Sequence, residues 1–292
     1  MINFYLMDGL IRGFIDSLNR RETTKETYRK ALREYSKWLG GTAPEALTSN
    51  DIQRYKDYIL SKHLTSASMS SYLTAVRRFY DYLVSIGRAG ENPARKVKGA
   101  PRPRRHLTDS ISRRDVGRLL DAIDSTTPLG RRDEAILSLM VRAGLSEIEI
   151  VRLNLGDLKS RGGNKVIYVQ GKSKDRKDEY VTLTPPLEES LGRYIEERGA
   201  SGPEEPLFWG VGNRAVKDRI STRGLRARIN HYFETSGIKK KGVKPASLRH
   251  TAAMLAIEEG ATVSEIQRLL RLRTTESALQ YFEEARELIR KL

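Results

Sequence analysis

The segment KETYRKALREYSKWL (residues 25–39) places Tyr28, Leu32, Tyr35 and Leu39 at i, i+4, i+7 and i+11. That is a single apolar stripe on a 3.6-residue period, with lysine, arginine and glutamate on the other faces, so the segment must be an amphipathic helix packed on one side. Thr24 is the expected N-cap and Gly40-Gly41 the expected stop. The same pattern recurs on either side. MINFYLMDGLIRGFIDSL is interrupted by Asp8, Arg12 and Asp16, so it reads as an amphipathic helix rather than a signal peptide. Thr48-Ser49-Asn50-Asp51 opens a helix carrying Ile52, Tyr55, Tyr58 and Ile59, and SASMSSYLTAVRRFYDYLVSIG aligns Tyr72, Val76, Phe79, Tyr80 and Leu83. Residues 1–90 therefore form a four-helix module.

The periodicity stops between Gly87 and Leu107. GRAGENPARKVKGAPRPRRHL is punctuated by glycine and proline and is rich in Lys/Arg, with Glu91 as its one acid, so residues 91–106 are expected to form a basic linker. Helical patterns resume at Ser112. They give way to KVIYVQ and EYVTL, whose β-branched and aromatic residues flank a short polar segment and predict a hairpin. After Pro185-Pro186 the chain is helical again. The expected fold is mainly α with one small β-sheet, the second domain spanning 107–292 with a C-terminal tail at 283–292.

Charge bears on partners. Among 292 residues, 53 Lys+Arg face 37 Asp+Glu, a formal net charge of +16. Such an excess attracts polyanions, because each phosphate neutralised releases condensed counterions. No apolar run is long enough to span a membrane. The chain has no cysteine, which excludes disulfides and thiolate metal sites, and His63, His106, His231 and His250 are too scattered for a ligand motif. No metal or cofactor is expected, and the cytoplasm, in association with the nucleoid, is the expected location.

Four strings, in order, resemble the tyrosine recombinases of the lambda-integrase and Xer type. RAGLSEIEIVRLNLGDL (142–158) is similar to that family's Gly-Leu-Arg segment, VQGKSKDRKDEYVTL (169–183) to its lysine-bearing hairpin, KPASLRHTAAMLA (244–256) to its His-x-x-Arg-His-Thr helix, and IQRLLRLRTTESALQYF (266–282) to its Leu-Gly-His segment and nucleophilic tyrosine. The resemblance covers nearly the whole chain. It implies a SAM-like helical core-binding domain followed by an α+β catalytic-type domain, with double-stranded DNA as partner. In that family a tyrosine attacks a phosphodiester, two arginines hold the charged transition state, a lysine protonates the leaving oxygen and histidines assist; no metal or nucleotide is needed.

Carried over residue by residue, the resemblance assigns the nucleophile to Tyr281, the second arginine to Arg249 and the lysine to Lys172, with Lys174 beside it as a residue that could stand in and is expected to contact DNA. Three positions depart. Ser146 stands where the first arginine belongs, Ala246 replaces a histidine, and in Leu270-Arg271-Leu272 the family's Gly-His is Arg-Leu. Serine, alanine and leucine supply neither a guanidinium nor an imidazole. The expectation is a DNA-binding protein with degenerate catalytic positions; the alternatives are an active recombinase using surrogate residues, or an inactive subunit assembled with an active one.

DNA contacts are expected at the helix beginning near Thr24 and Lys25 and at the helix bearing Ser66, Ser68 and Arg77. Arg104 and Arg105 are expected to add contacts in the linker, as is NRAVKDRISTRGLRARI, which carries Arg214, Lys217, Arg219, Arg223, Arg226 and Arg228 against Asp218 alone. In the tail, Leu288, Ile289 and Leu292 share one side, a pattern that suits self-association.

Overall fold

The computed structural model describes residues 4–62, 64–99, 106, 108–171, 174–199, 202–210 and 218–290. The chain divides into two compact units, Met1–Pro103 and Arg104–Leu292.

The first unit is built from α1 (Phe4–Ser17), α2 (Glu22–Leu39), α3 (Ser49–Ser61) and α4 (Ser66–Ser85). α2 starts earlier than Thr24 suggests. Its N-cap is Arg21, so Thr24 and Lys25 sit within the first turn, where the amide of Thr24 already bonds the carbonyl of Arg21 at 2.9 Å. Gly40 ends the helix at φ 58, the left-handed conformation that a residue without Cβ adopts at low cost. Thr48 and Asp51 cap α3 reciprocally. The stripes read from sequence meet in one core of Phe14, Leu32, Tyr35, Tyr55, Phe79 and Tyr80. Two of its hydroxyls are satisfied inside it: Tyr35 and Tyr80 share a hydrogen bond of 2.7 Å, and Tyr80 donates to the Pro44 carbonyl at 2.9 Å.

The first part of the expected linker belongs to this core. Ala94 and Val97 are buried, and Asn92 donates to the carbonyl of Arg77 and to Asp81. Arg77 in turn donates to the carbonyls of Ala94 and Val97 at 3.1 and 2.6 Å. Glycine and proline do remove helix propensity here. They do not prevent an irregular segment from packing, because the Arg77 side chain satisfies two of its carbonyls.

The second unit contains α5 (Arg113–Asp121), α6 (Pro128–Arg142), α7 (Glu147–Arg152), β1 (Leu158–Arg161), β2 (Asn164–Val169), β3 (Glu179–Thr182), α8 (Pro185–Arg198), α9 (Thr222–Thr235), α10 (Ser247–Glu258), α11 (Val263–Leu269) and α12 (Thr275–Ile289). α6 is buried on nearly all sides and packs against α8 and α10. Its buried Arg132 and Asp133 pair at 2.6 Å, and Asp133 also accepts from Arg228 and Tyr232. The sheet is antiparallel in the order β1-β2-β3, one strand more than the hairpin expected from sequence. β1 reads LKSR and lacks the β-branched residues that betray a strand. It is joined to β2 by Gly162-Gly163, both at positive φ, a two-residue connection that glycine favours. Ile167 and Val169 face the main core. α11 and α12 close over a smaller core with Ala253, Met254, Leu270 and Tyr281. No helix among the described residues is long and apolar enough to cross a membrane.

Candidate active site

The site is assembled where α6 ends. Gly144 holds φ +60, and a Cβ there would lie 2.7 Å from Leu270 Cδ2, so the turn out of α6 admits glycine and little else. That turn aims Ser146 at the start of α7, where it acts as a helix cap. The Ser146 hydroxyl and amide both donate to Glu149 Oε2 at 2.7 Å, closing a capping box. Ser146, the residue expected at the first-arginine position, is thus committed to its own helix.

Glu149 is buried and has become the hub of two arginines. Arg249, from the first turn of α10, donates Nη1 to Glu149 Oε2 at 2.8 Å and to the Gly144 carbonyl at 2.9 Å, and Nη2 to the Leu270 carbonyl. Arg271 reaches the same carboxylate from the other side. Its Nε meets Oε1 at 2.7 Å and its Nη2 meets Oε2 at 3.0 Å, while Nη2 also bonds the Gly144 carbonyl at 2.8 Å and Nη1 the Leu269 carbonyl at 2.6 Å. A guanidinium has five N–H groups. With Nη1 also facing the Ala143 carbonyl at 3.5 Å, each nitrogen of Arg271 points into protein, and 4% of the side chain is exposed. Arg249 differs. Its Nε and one Nη2 hydrogen have no partner among the described residues, and its side chain is 21% exposed.

Burial opposes ionisation of Glu149, but the hydrogen bonds and charge of Arg271, with the charge of Arg249 and the Ser146 amide, hold its carboxyl below the ordinary range. Burial lowers Arg249 as well, against the pull of Glu149 and with the push of Arg271. Both groups remain charged at neutral pH, as the bidentate and carbonyl contacts require.

Arg271 occupies an unusual backbone position. α11 ends in a Schellman turn in which Leu272 N bonds Gln267 O at 2.9 Å and Arg271 N bonds Arg268 O at 3.0 Å. The residue at C′ of such a turn is left-handed, and Arg271 has φ 50, the one non-glycine residue with positive φ among those described. Arginine thus fills a helix-ending αL position that glycine would occupy at lower cost. Sequence reasoning named Arg271 as a neighbour of Leu272 but did not foresee its reach; the signal available was an arginine where a turn calls for glycine.

Tyr281, on α12, is 7% exposed and its ring packs on His106 and His250, with centroids 4.2 and 5.0 Å away. Its hydroxyl has no hydrogen-bond partner among the described residues. Burial raises its pKa above that of an ordinary tyrosine, Arg249 pulls it down and Glu284 pushes it up. Burial, with His106 alongside, pushes His250 down to about 4 against the opposing pull of Glu284. Ala246 is an exposed residue at the N-terminus of α10, and Leu272 packs on the small core, so neither position offers a proton acceptor. Lys172 lies outside the described residues. Arg152 donates to the Gly171 carbonyl at 2.8 Å at the base of that loop, and Lys174 pairs with Asp178 and Glu179.

The residues expected to meet DNA fall into distinct settings. Ser66 and Ser68 occupy the first turn of α4, whose cap Thr65 accepts from the Ser68 amide. Arg223 is exposed, and Arg226 pairs with Glu147 at 2.6 Å while remaining 58% exposed. Arg219 turns inward: it donates to the carbonyls of Val151 and Leu153 and to Asn154 Oδ1 at 2.7, 2.9 and 2.6 Å, so it pins the end of α7. Arg77 and Arg228 likewise hold protein groups. Arg104, Arg105, Arg214 and Lys217 lie outside the described residues. Leu288 and Ile289, at the end of α12, are 50% and 71% exposed; Leu292 lies outside the described residues.

Comparison with known proteins agrees with this assembly. Residues 109–287 match the Phage integrase family, and residues 11–87 match the phage integrase N-terminal SAM-like domain. Tyrosine recombinase XerD of Lacticaseibacillus casei is 30% identical over 281 residues, covering 90% of each chain. Tyrosine recombinase XerC of Salmonella typhi is 36% identical over 252 residues, covering 85% of this chain and 80% of that protein. Among solved structures, XerH site-specific recombinase bound to palindromic difH substrate matches with a TM-score of 0.75 at 14% identity, covering 91% of this chain and 78% of that one. A lambda integrase dimer bound to a COC′ core site matches with a TM-score of 0.71 at 15% identity, covering 94% and 76%. Two domain matches in order, joined to relatives aligned across 80–90% of their length, make this chain a member of the phage integrase family of tyrosine recombinases.

Proposed function

We propose that this chain binds duplex DNA as an architectural or regulatory protein, and that its strand-cleaving chemistry is severely slowed. The observation that carries this reading is the state of the two guanidinium positions. Ser146 spends its hydroxyl on the cap of α7, and Arg271, the second guanidinium near Arg249, directs its donors to Glu149 and to backbone carbonyls. That leaves the free edge of Arg249 as the one guanidinium edge in the cluster able to meet a phosphate.

Loss of one transition-state donor costs on the order of 10²–10³ in rate. Loss of a general base costs about 10²–10⁴, and such losses combine less than multiplicatively. Tyr281 compounds the deficit, since its raised pKa calls for a proton acceptor that Ala246 and Leu272 cannot provide. DNA binding needs none of these groups. The net charge of +16, the exposed Arg223 and Arg226, and the polar first turns of α2 and α4 supply phosphate contacts without them. The protein would work in the cytoplasm on the nucleoid, alone, self-associated through the α12 tail, or beside an active recombinase.

The second reading, an active recombinase attacking through Tyr281, is favoured by the presence of two guanidinium groups on one carboxylate. Covalent trapping on nicked duplexes, made from DNA that the protein selects from genomic fragments, separates the two. The unaltered chain, Tyr281→Phe, and a restored form carrying Ser146→Arg, Arg271→Gly, Ala246→His and Leu272→His are compared on denaturing gels. We expect an adduct from the restored form alone. A Tyr281-dependent adduct from the unaltered chain at a comparable rate overturns the proposal.

A further inference from the structure

We propose that His106, His250 and Glu284 form a binding site for a divalent transition metal, zinc by the chemistry of its donors. The three residues are far apart in sequence, and the fold brings them together from the segment before α5, from α10 and from α12. His106 Nδ1 lies 2.9 Å from Glu284 Oε1, and His250 Nε2 lies 3.1 Å from Glu284 Oε2. One donor atom from each residue lies within 4.8 Å of the other two. A tetrahedral zinc with bonds of about 2.0–2.1 Å keeps its ligands about 3.3 Å apart. The two short contacts are made by different oxygens of Glu284, so the carboxylate either spans the ion with both oxygens or turns so that one oxygen serves both imidazoles, from separations that lie within 4.8 Å.

The donor set points the same way. Two imidazoles and one carboxylate are ligands that zinc accepts, and three protein ligands leave a position open for water or another group. The setting also calls for positive charge. Glu284 is 11% exposed and His250 7%, and no lysine or arginine pairs with this carboxylate among the described residues. A carboxylate withdrawn from water needs a countercharge, and a divalent ion bound between it and the imidazoles provides one. His106 is 27% exposed, which leaves the ion a way in. The consequence concerns Tyr281, whose ring lies against both imidazoles. A bound ion ties the segment entering the second unit to α10 and α12 around that ring, and so holds the tyrosine in its buried position.

The test uses the full chain without a histidine tag, stripped with a chelator and titrated with zinc chloride in a calorimeter, alongside His106→Ala and Glu284→Gln. His106→Ala keeps the backbone amide that also donates to Glu284, and Glu284→Gln keeps the shape of the side chain while removing its charge. We expect saturable uptake of one zinc per chain, weakened in each variant by at least the roughly 10-fold that losing even an outer-shell partner costs. No uptake by the folded unaltered chain overturns the proposal, as does undiminished binding by either variant. Cobalt(II) provides a readout independent of folding in the variants. An intense visible spectrum of a four- or five-coordinate ion in the unaltered chain supports the site, and the weak spectrum of the hexa-aquo ion counts against it.

Discussion

Arg271 makes the sharpest claim about how the site is held together, and it can be tested by stability alone. Replacing it with alanine leaves Glu149, a 2%-exposed carboxylate, with Arg249 as its remaining charged partner and strips the Leu269 carbonyl of its guanidinium donor. Breaking a buried ion pair costs about 3–5 kcal/mol. Because Arg249 and the Ser146 cap stay in place, we expect about 2–4 kcal/mol for Arg271→Ala. Arg271→Gly should be milder by about 1 kcal/mol, since glycine accepts φ +50 without the Cβ penalty that arginine and alanine both carry. For a unit of this size, each kcal/mol moves the midpoint of thermal unfolding by about 2–4 °C. The chain has two tryptophans, Trp38 in the first unit and Trp209 in the second. In a Trp38→Phe background, Trp209 fluorescence in urea follows the second unit by itself. If Arg271→Ala fell within about 0.5 kcal/mol of the parent, the ordinary range for surface changes, the buried hub would be refuted. If alanine and glycine were equally costly, the backbone argument would fail while the ion-pair argument stood.

Three further predictions rest on separate contacts. Glu149 has a folded pKa below the ordinary 4.5, so its stabilisation is fully present above about pH 4.5 and disappears as pH falls through the folded value; Glu149→Gln should flatten that acid limb in urea melts across pH, and an unchanged limb counts against the assignment. Gly144→Ala should cost about 1–3 kcal/mol, because it combines a strained φ with a 2.7 Å approach to Leu270; a neutral result in the same melts would show that the turn can relax. Duplex affinity measured by fluorescence anisotropy should drop about 10³-fold or more between 50 and 200 mM salt for six or more phosphate contacts, and Arg223→Ala should reduce the slope by about one; an unaltered slope would remove Arg223 from the interface.

The architecture is largely legible in the sequence. Apolar stripes at helical spacing identify α2, α3 and α4 because a helix on a surface must bury one face, and the alternation in KVIYVQ and EYVTL marks β2 and β3 because a strand shows opposite faces in turn. β1 escaped notice because LKSR is short and polar, and a strand paired on one side derives its structure from its neighbour's amides more than from its own side chains. The packing of residues 91–99 on the first unit was hidden for the same reason: proline and glycine say what a segment cannot form, not what it lies against.

The sequence by itself determined the family resemblance, the candidate residues Tyr281 and Arg249, and the expected departures at Ser146, Ala246 and Leu272, since identity at a motif position is a local property. Tertiary structure alone decided which charges are free to act. In the sequence Arg219 looked like Arg223, yet one caps backbone carbonyls and the other faces water. Arg271 stood in the sequence only as a departure from glycine until the turn after α11 carried it to Glu149. Likewise, His106 and His250 became neighbours only because α10 and α12 pack together with the segment before α5. Whether a charged side chain works on solvent, on a ligand or on its own backbone depends on which desolvated partners the fold brings within about 3 Å, and no linear spacing encodes that.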